Sequence, residues 1–132
     1  MIEHKTSARP LSPHLQIYRP MLTMMMSIMH RITGVGLYFG IILLVWWLTA
    51  ASISDSYFDF VQGFFGHWFG RLLLFGFSWA LIHHALGGLR HLLWDTGRGF
   101  DLRVVEWLAR ANLAGSIVLT LLLWTVGYGV MP

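Results

Sequence analysis

Three long apolar runs stand out from the polar positions of this chain. The first, Ile32 to Ala51, carries no charge; the second, about Trp68 to Trp94, has a clean apolar half from Leu72 to Ile82 and then a half rich in histidine; the third, about Leu113 to Met131, is again uncharged. Crossing about 30 Å of hydrocarbon takes roughly 20 mostly apolar residues at about 1.5 Å each. The pattern therefore predicts an all-α membrane protein with three transmembrane helices, over about 28–51, 67–94 and 107–131. Residues 1–20 read as a polar N-terminal segment, in which Pro10, Pro13 and Pro20 rule out one continuous helix. Residues 21–132 then form one three-helix transmembrane domain, because the two short connections are too small to fold a soluble unit.

Composition agrees with a life in lipid: of 132 residues, 56% are hydrophobic and 11% charged, and the mean hydropathy is +0.62. The absence of cysteine excludes disulfides and thiolate metal sites. Ala50-Ala51-Ser52 has the look of a signal-peptide cleavage site. The apolar run before it, however, starts too late and exceeds the roughly 7–15 residues of a signal core, so it is expected to be retained. Positive charge sets the expected orientation. Lys5, Arg9 and Arg19 lie in the tail and Arg31 at the mouth of the first span, while Ser52 to Gly66 holds Asp55 and Asp59 and no Lys or Arg. The second connection brings Arg98, Arg103 and Arg110 back to the side of the tail, which predicts a cytoplasmic N-terminus and a C-terminus on the opposite side. The pI near 9.8 then calls for no nucleic-acid partner; a basic face suits anionic lipids or an acidic peripheral partner.

Ionisable groups at bilayer depth are costly and point to function. They concentrate in Ile82-His83-His84-Ala85-Leu86-Gly87-Gly88-Leu89-Arg90-His91. His84 and His91, seven apart, share a helix face about 10 Å from each other, and Gly87 and Gly88 between them leave bare backbone. An imidazole beside a flat, uncluttered surface suits a haem, with His84 as axial iron ligand and His91 and Arg90 placed for the propionates. His83 lies 100° away, on a face with Trp79, Leu86 and Trp94, and lacks such a surface. Competing readings are that the glycines serve close helix packing, that Arg90 and His91 snorkel to headgroups, and that His84 only bonds a neighbouring helix. The third span has no histidine, His30 is expected shallower than His84, and His67 lies at the opposite membrane face. One axial ligand is thus expected from this chain and the other from a partner chain or a second copy.

At the mouth of the first span, Ser27 and Arg31 are i and i+4 and share a face, with His30 on a neighbouring one. Asp95 ends the second span on the same side. A hydroxyl, a cation and a carboxylate at the water boundary suit a quinone headgroup; the plainer alternative is a topology anchor with an Arg31–Asp95 salt bridge.

Three motifs in order, Arg9-Pro10-Leu11-Ser12-Pro13-His14-Leu15-Gln16-Ile17-Tyr18, Ser27-Ile28-Met29-His30-Arg31-Ile32-Thr33-Gly34, and His84-Ala85-Leu86-Gly87-Gly88-Leu89-Arg90-His91 with Asp95, cover most of the chain. In these the sequence closely resembles the cytochrome b556 membrane-anchor subunits of succinate dehydrogenase, respiratory complex II. The resemblance implies a multi-pass anchor in a bacterial or mitochondrial inner membrane. It further implies one haem b shared with a second small anchor subunit, docking of an iron-sulfur subunit and a flavoprotein subunit, and ubiquinone as substrate. On that pattern His84 is the axial ligand, His30, Arg31 and His91 neighbour the propionates, and Ser27, Arg31 and Asp95 form the quinone site. The partner anchor supplies the second histidine and a tyrosine. His83 departs from the pattern, which requires one histidine there. Two alternatives from other classes are a haem-free structural anchor and a histidine-based proton or metal carrier; the carrier lacks the acidic residues expected inside spans.

Overall fold

A computed structural model describes residues 12–130, so Lys5, Arg9, the first residues of the N-terminal motif and Met131 lie outside the described residues. Among those described, regular structure is entirely helical: α1 (Leu22–Ile53), α2 (Asp55–Gly66), α3 (Trp68–Asp95) and α4 (Leu102–Val130). Helices α1, α3 and α4, of 32, 28 and 29 residues, are each long and apolar enough to cross a membrane. At about 1.5 Å per residue they reach roughly 42–48 Å, beyond the hydrocarbon thickness. The apolar windows are therefore the middles of longer helices. Helix α1 starts at Leu22 rather than near 28, and α4 at Leu102 rather than near 107, because Met-, Leu- and Ala-containing stretches propagate helix even where polar residues lower the hydropathy.

The first connection is not a plain loop but helix α2. Ser54 caps it, its hydroxyl accepting from the Tyr57 N–H at 3.3 Å, and Asp55 sits in the first turn. One face buries Val61 and Phe65 against Ala50 and the Trp46 and Trp47 region of α1. Trp46 Nε1 donates to the Tyr57 hydroxyl at 2.9 Å and Trp47 Nε1 to Gln62 Oε1 at 3.1 Å, so both indole donors are satisfied. The corner into α3 depends on Gly70, where a side chain would run into the Phe64 carbonyl and the Phe65 backbone.

Helix α3 is the middle of the bundle. It packs antiparallel on α1, with Gly34 opposite His84, Gly40 opposite Phe77 and Gly87 opposite His30. It packs antiparallel on α4, with His83 opposite Ser116, Phe75 edge-on to Trp124 at 5.4 Å and Arg71 over the Tyr128 ring at 5.9 Å. After α3, Gly97 adopts φ +76°, a left-handed conformation that glycine accepts freely, and its N–H donates to the Trp94 carbonyl at 2.8 Å. Asp101 Oδ1 then accepts from the Arg103 N–H at 2.9 Å and opens α4. Large apolar side chains such as Ile32, Phe39, Ile42, Leu122 and Val126 point outward, as expected of helices solvated by lipid or by other helices.

Candidate functional site

Successive residues of a helix differ by 100° in direction, so His83 and His84 leave α3 into different seams. His84 enters the seam with α1. Its Nδ1 lies 3.0 Å from the His30 carbonyl oxygen and 3.4 Å from Thr33 Oγ1. A carbonyl only accepts, so Nδ1 carries the proton and donates, and the Nε2 lone pair stays uncommitted. Gly34 provides the room: a Cβ there would stand 3.0 Å from His84 Cε1. Thr33 turns its own hydroxyl back into α1, donating to the Met29 carbonyl at 2.8 Å and the His30 carbonyl at 3.0 Å.

The His30 ring stacks on His84 with centroids 3.9 Å apart and planes 6° from parallel, and stands 5.1 Å from the His91 ring. This corrects two expectations. His30 is not shallower than His84: because α1 begins at Leu22, His30 lies well inside the helix and reaches His84 directly. Nor is the glycine surface bare throughout. Gly87 is buried beneath the His30 ring, and a Cβ at 87 would meet His30 Nδ1; Gly88 has nothing within 4 Å and is the open part. His30 Nδ1 is itself buried with no hydrogen-bond partner.

His83, only 1% exposed, enters the seam with α4. Ser116 Oγ donates to the Leu113 carbonyl at 2.9 Å, which leaves it to accept from His83 Nδ1–H at 3.1 Å. The Asn112 amide nitrogen lies 3.4 Å from both ring nitrogens of His83, against the face of the ring. His83 is thus enclosed between Ser116 and Asn112 in the α3–α4 seam, away from the seam that holds His84.

Arg90, seven residues beyond His83 and nearly on its face, is 5% exposed rather than extended toward headgroups. Its guanidinium lies 5.1 Å from the Trp94 ring, and its Nε is buried without a partner. His91 is exposed and stands edge-on to Trp94 at 5.1 Å. Ser27 is half-buried, and Arg31 and Asp95 are exposed. Among the described residues none of these three bonds another side chain, and the one ion pair is Arg110 with Glu106. The alternative Arg31–Asp95 salt bridge is thus not formed.

The chemistry of this set fits a haem. One imidazole is held by Nδ1 with Nε2 free of protein partners among the described residues, small residues stand beside it, and the buried, unpartnered His30 Nδ1 and Arg90 Nε are atoms that native interiors rarely leave unmatched. Among the described residues no group of three or more His, Asp or Glu is arranged to hold a bare metal ion. Thr33, Gly34, Asn112 and Ser116 complete the site and carry no role that the sequence motifs alone assign. The recurrence of Asn112, Ser116 and Thr120 every four residues in an apolar helix was their available signal.

Sequence comparison agrees with this architecture. Residues 5–123 match the family described as Succinate dehydrogenase/Fumarate reductase transmembrane subunit. The chain is 46% identical to the succinate dehydrogenase cytochrome b556 subunit of Paracoccus denitrificans over 114 residues, 86% of this chain and 88% of that one. It is 40% identical to the same subunit of Rickettsia typhi over 116 residues, 88% and 90% of the two chains. The mitochondrial succinate dehydrogenase cytochrome b560 subunit of Sus scrofa is 35% identical over 130 residues, 95% and 72% of the two chains. Bacterial and mitochondrial relatives together with three apolar helices make this a multi-pass inner-membrane protein. The chain belongs to the family of succinate dehydrogenase/fumarate reductase transmembrane subunits.

Proposed function

We propose that this subunit is the haem b-bearing anchor of a succinate dehydrogenase, with His84 binding the iron through Nε2. The observation that carries the proposal is the His84 Nδ1–H bond to the His30 carbonyl, which fixes the tautomer and the ring direction and leaves Nε2 free. His30, Arg31, Arg90 and His91 stand for the propionates, and the open backbone at Gly88 for the edge of the macrocycle. The described residues offer no second free imidazole facing His84 across an iron, since His30 lies parallel against it. A second histidine for the haem would therefore come from a second small anchor subunit. When bound, the haem contributes a one-electron couple within the membrane.

Docked iron-sulfur and flavoprotein subunits oxidise succinate and deliver electrons to quinone at the membrane edge. The N-terminus is assigned to the cytoplasmic side by the positive residues of the tail and of the α3–α4 connection. On that side Ser27 donates a hydrogen bond to a quinone carbonyl. The exposed Arg31, which has no ion-pair partner among the described residues, favours the negative charge that quinone gains on reduction, and Asp95 orders the water that carries protons in.

The test is made on the purified complex. Replacing His84 with Leu should abolish the reducible b-type band, whereas replacing His83 should leave a band; the reverse pattern would overturn the ligand assignment. Ser27→Ala and Arg31→Leu should depress quinone reduction while succinate oxidation with an artificial acceptor persists. Unchanged quinone reduction in both would remove these residues from the site.

A further inference from the structure

The neighbour of the proposed ligand is a buried histidine to which that mechanism gives no part. We infer that His83, held by Asn112 and Ser116, is a positioning residue that sets the direction of His84 by fixing the rotation of α3 against α4. The inference rests on the proposed haem role of His84.

Helix α3 needs such a device. Its polar residues are spread around the circumference rather than gathered opposite an apolar face, so no hydrophobic stripe selects which face meets which neighbour, and in lipid apolar burial supplies no drive between helices. Rotation is then decided by small-residue approach and by interhelical hydrogen bonds. On α4 the buried positions Ala109, Asn112, Ser116 and Thr120 form one stripe of small or hydroxyl residues that lets α3 come close. Thr120 Oγ1 is spent on its own helix, donating to the Ser116 carbonyl at 2.7 Å. Asn112 and Ser116, one turn apart, are left to hold one ring, Ser116 Oγ at 3.1 Å from Nδ1 and the Asn112 amide nitrogen at 3.4 Å from both ring nitrogens. A two-point grip on a flat ring opposes rotation of α3 in either sense, which a single hydroxyl bond would not.

The consequence reaches His84 because the two residues share consecutive Cα atoms. An imidazole roughly 6 Å from a helix axis moves about 2 Å for a rotation of about 20°. That is enough to break the 3.0 Å bond from His84 Nδ1 to the His30 carbonyl or to drive Cε1 into Gly34. His83 thus acts on the ligand through the helix and does not touch the cofactor.

The experiment compares His83→Leu, which fills the space without bonds, with His83→Gln, which keeps a donor and an acceptor. Haem is followed by its midpoint potential and by the low-spin electron paramagnetic resonance signal, which reports imidazole orientation. The chain has no cysteine, so the pair Leu86→Cys and Gly115→Cys, placed where a Cβ at 115 lies 3.4 Å from the Leu86 side chain, reports the α3–α4 register by cross-linking. His83→Leu should shift both haem readouts, weaken haem retention about tenfold and lower the cross-link yield; His83→Gln should restore all of them. A wild-type signal, potential and cross-link in His83→Leu would overturn the inference, as would failure of Gln to restore them. If His83→Leu does not assemble, Asn112→Leu removes the amide contact and leaves the Ser116 bond, and should shift the haem readouts and the cross-link yield in the same direction by a smaller amount; no shift in any of them would overturn the inference. If instead His84→Leu keeps its b-type band, the haem assignment fails, while the cross-link still reports whether His83 sets the rotation.

Discussion

The two seams of α3 are built from similar parts and finished differently. Against α4, His83 is held by Ser116 and by the Asn112 amide, and the hydroxyls of Ser116 and Thr120 also find carbonyls on their own helix. Against α1, His84 uses one nitrogen, His30 Nδ1 is buried and unpartnered, and Gly34 and Gly87 make way for imidazoles rather than for aliphatic side chains. Leaving a buried polar atom unmatched costs about 1–3 kcal/mol, so a seam with open valences next to a free Nε2 has the character of a binding site. A seam whose buried histidine is held on two sides by the neighbouring helix has the character of a fastener. That seam has loose ends of its own in Asn112 Oδ1 and Arg90 Nε, both buried without a partner.

The contrast is broken most severely at Gly87. A Leu there meets His30 Nδ1 and must part α1 from α3 or expel His30 from His84. Overpacking of this kind costs about 1–3 kcal/mol or more. Gly87→Leu is expected to lose the b-type band altogether and to reduce the yield of assembled complex, measured by difference spectrum and by subunit recovery. A smaller effect is expected at Gly34, where an added methyl stands 3.0 Å from His84 Cε1 and the ring must yield by a few tenths of an ångström. Gly34→Ala should keep haem but shift its potential, read by redox titration. A full wild-type titration would mean that His84 does not have to hold its position in this seam.

On the fastener side, Asn112→Leu removes one bond and leaves the other. Interhelical hydrogen bonds in membranes average about 0.6 kcal/mol, so the loss should be near that figure in unfolding from mild detergent, without loss of the haem band. An effect several times larger would mean that Asn112 has a further partner.

How much of this was legible in the chain follows from the same physics. The three spans were readable because bilayer thickness imposes a minimum apolar run, and the separation of His83 from His84 was readable because 100° per residue is geometry. Helix α2 was missed: its Ser54 cap and its Val61 and Phe65 stripe are visible in sequence, but a short amphipathic helix between two spans is masked by their hydropathy. The filling of Gly87 by His30 was not legible either. It depends on the α1–α3 register, which is fixed by the meetings of Gly34 with His84, Gly40 with Phe77 and Gly87 with His30, and no single segment carries that information.

Gly88 sharpens the comparison with the smallest change. Unlike Gly87, it has no atom within 4 Å for a Cβ to meet, and its neighbours in the seam are already placed without it. On packing alone Gly88→Ala is therefore neutral, or slightly favourable, since Ala exceeds Gly in helix propensity by about 1 kcal/mol. Subunit recovery and detergent stability should stay at wild-type levels. The haem is where a response is expected, as a small shift of the b-type band, because this open backbone is what remains of the flat surface beside His84. A band unmoved to within measurement, together with undiminished stability, would place the macrocycle edge away from Gly88 and leave the unfinished seam at His30 and His84 as the whole of this chain's contribution.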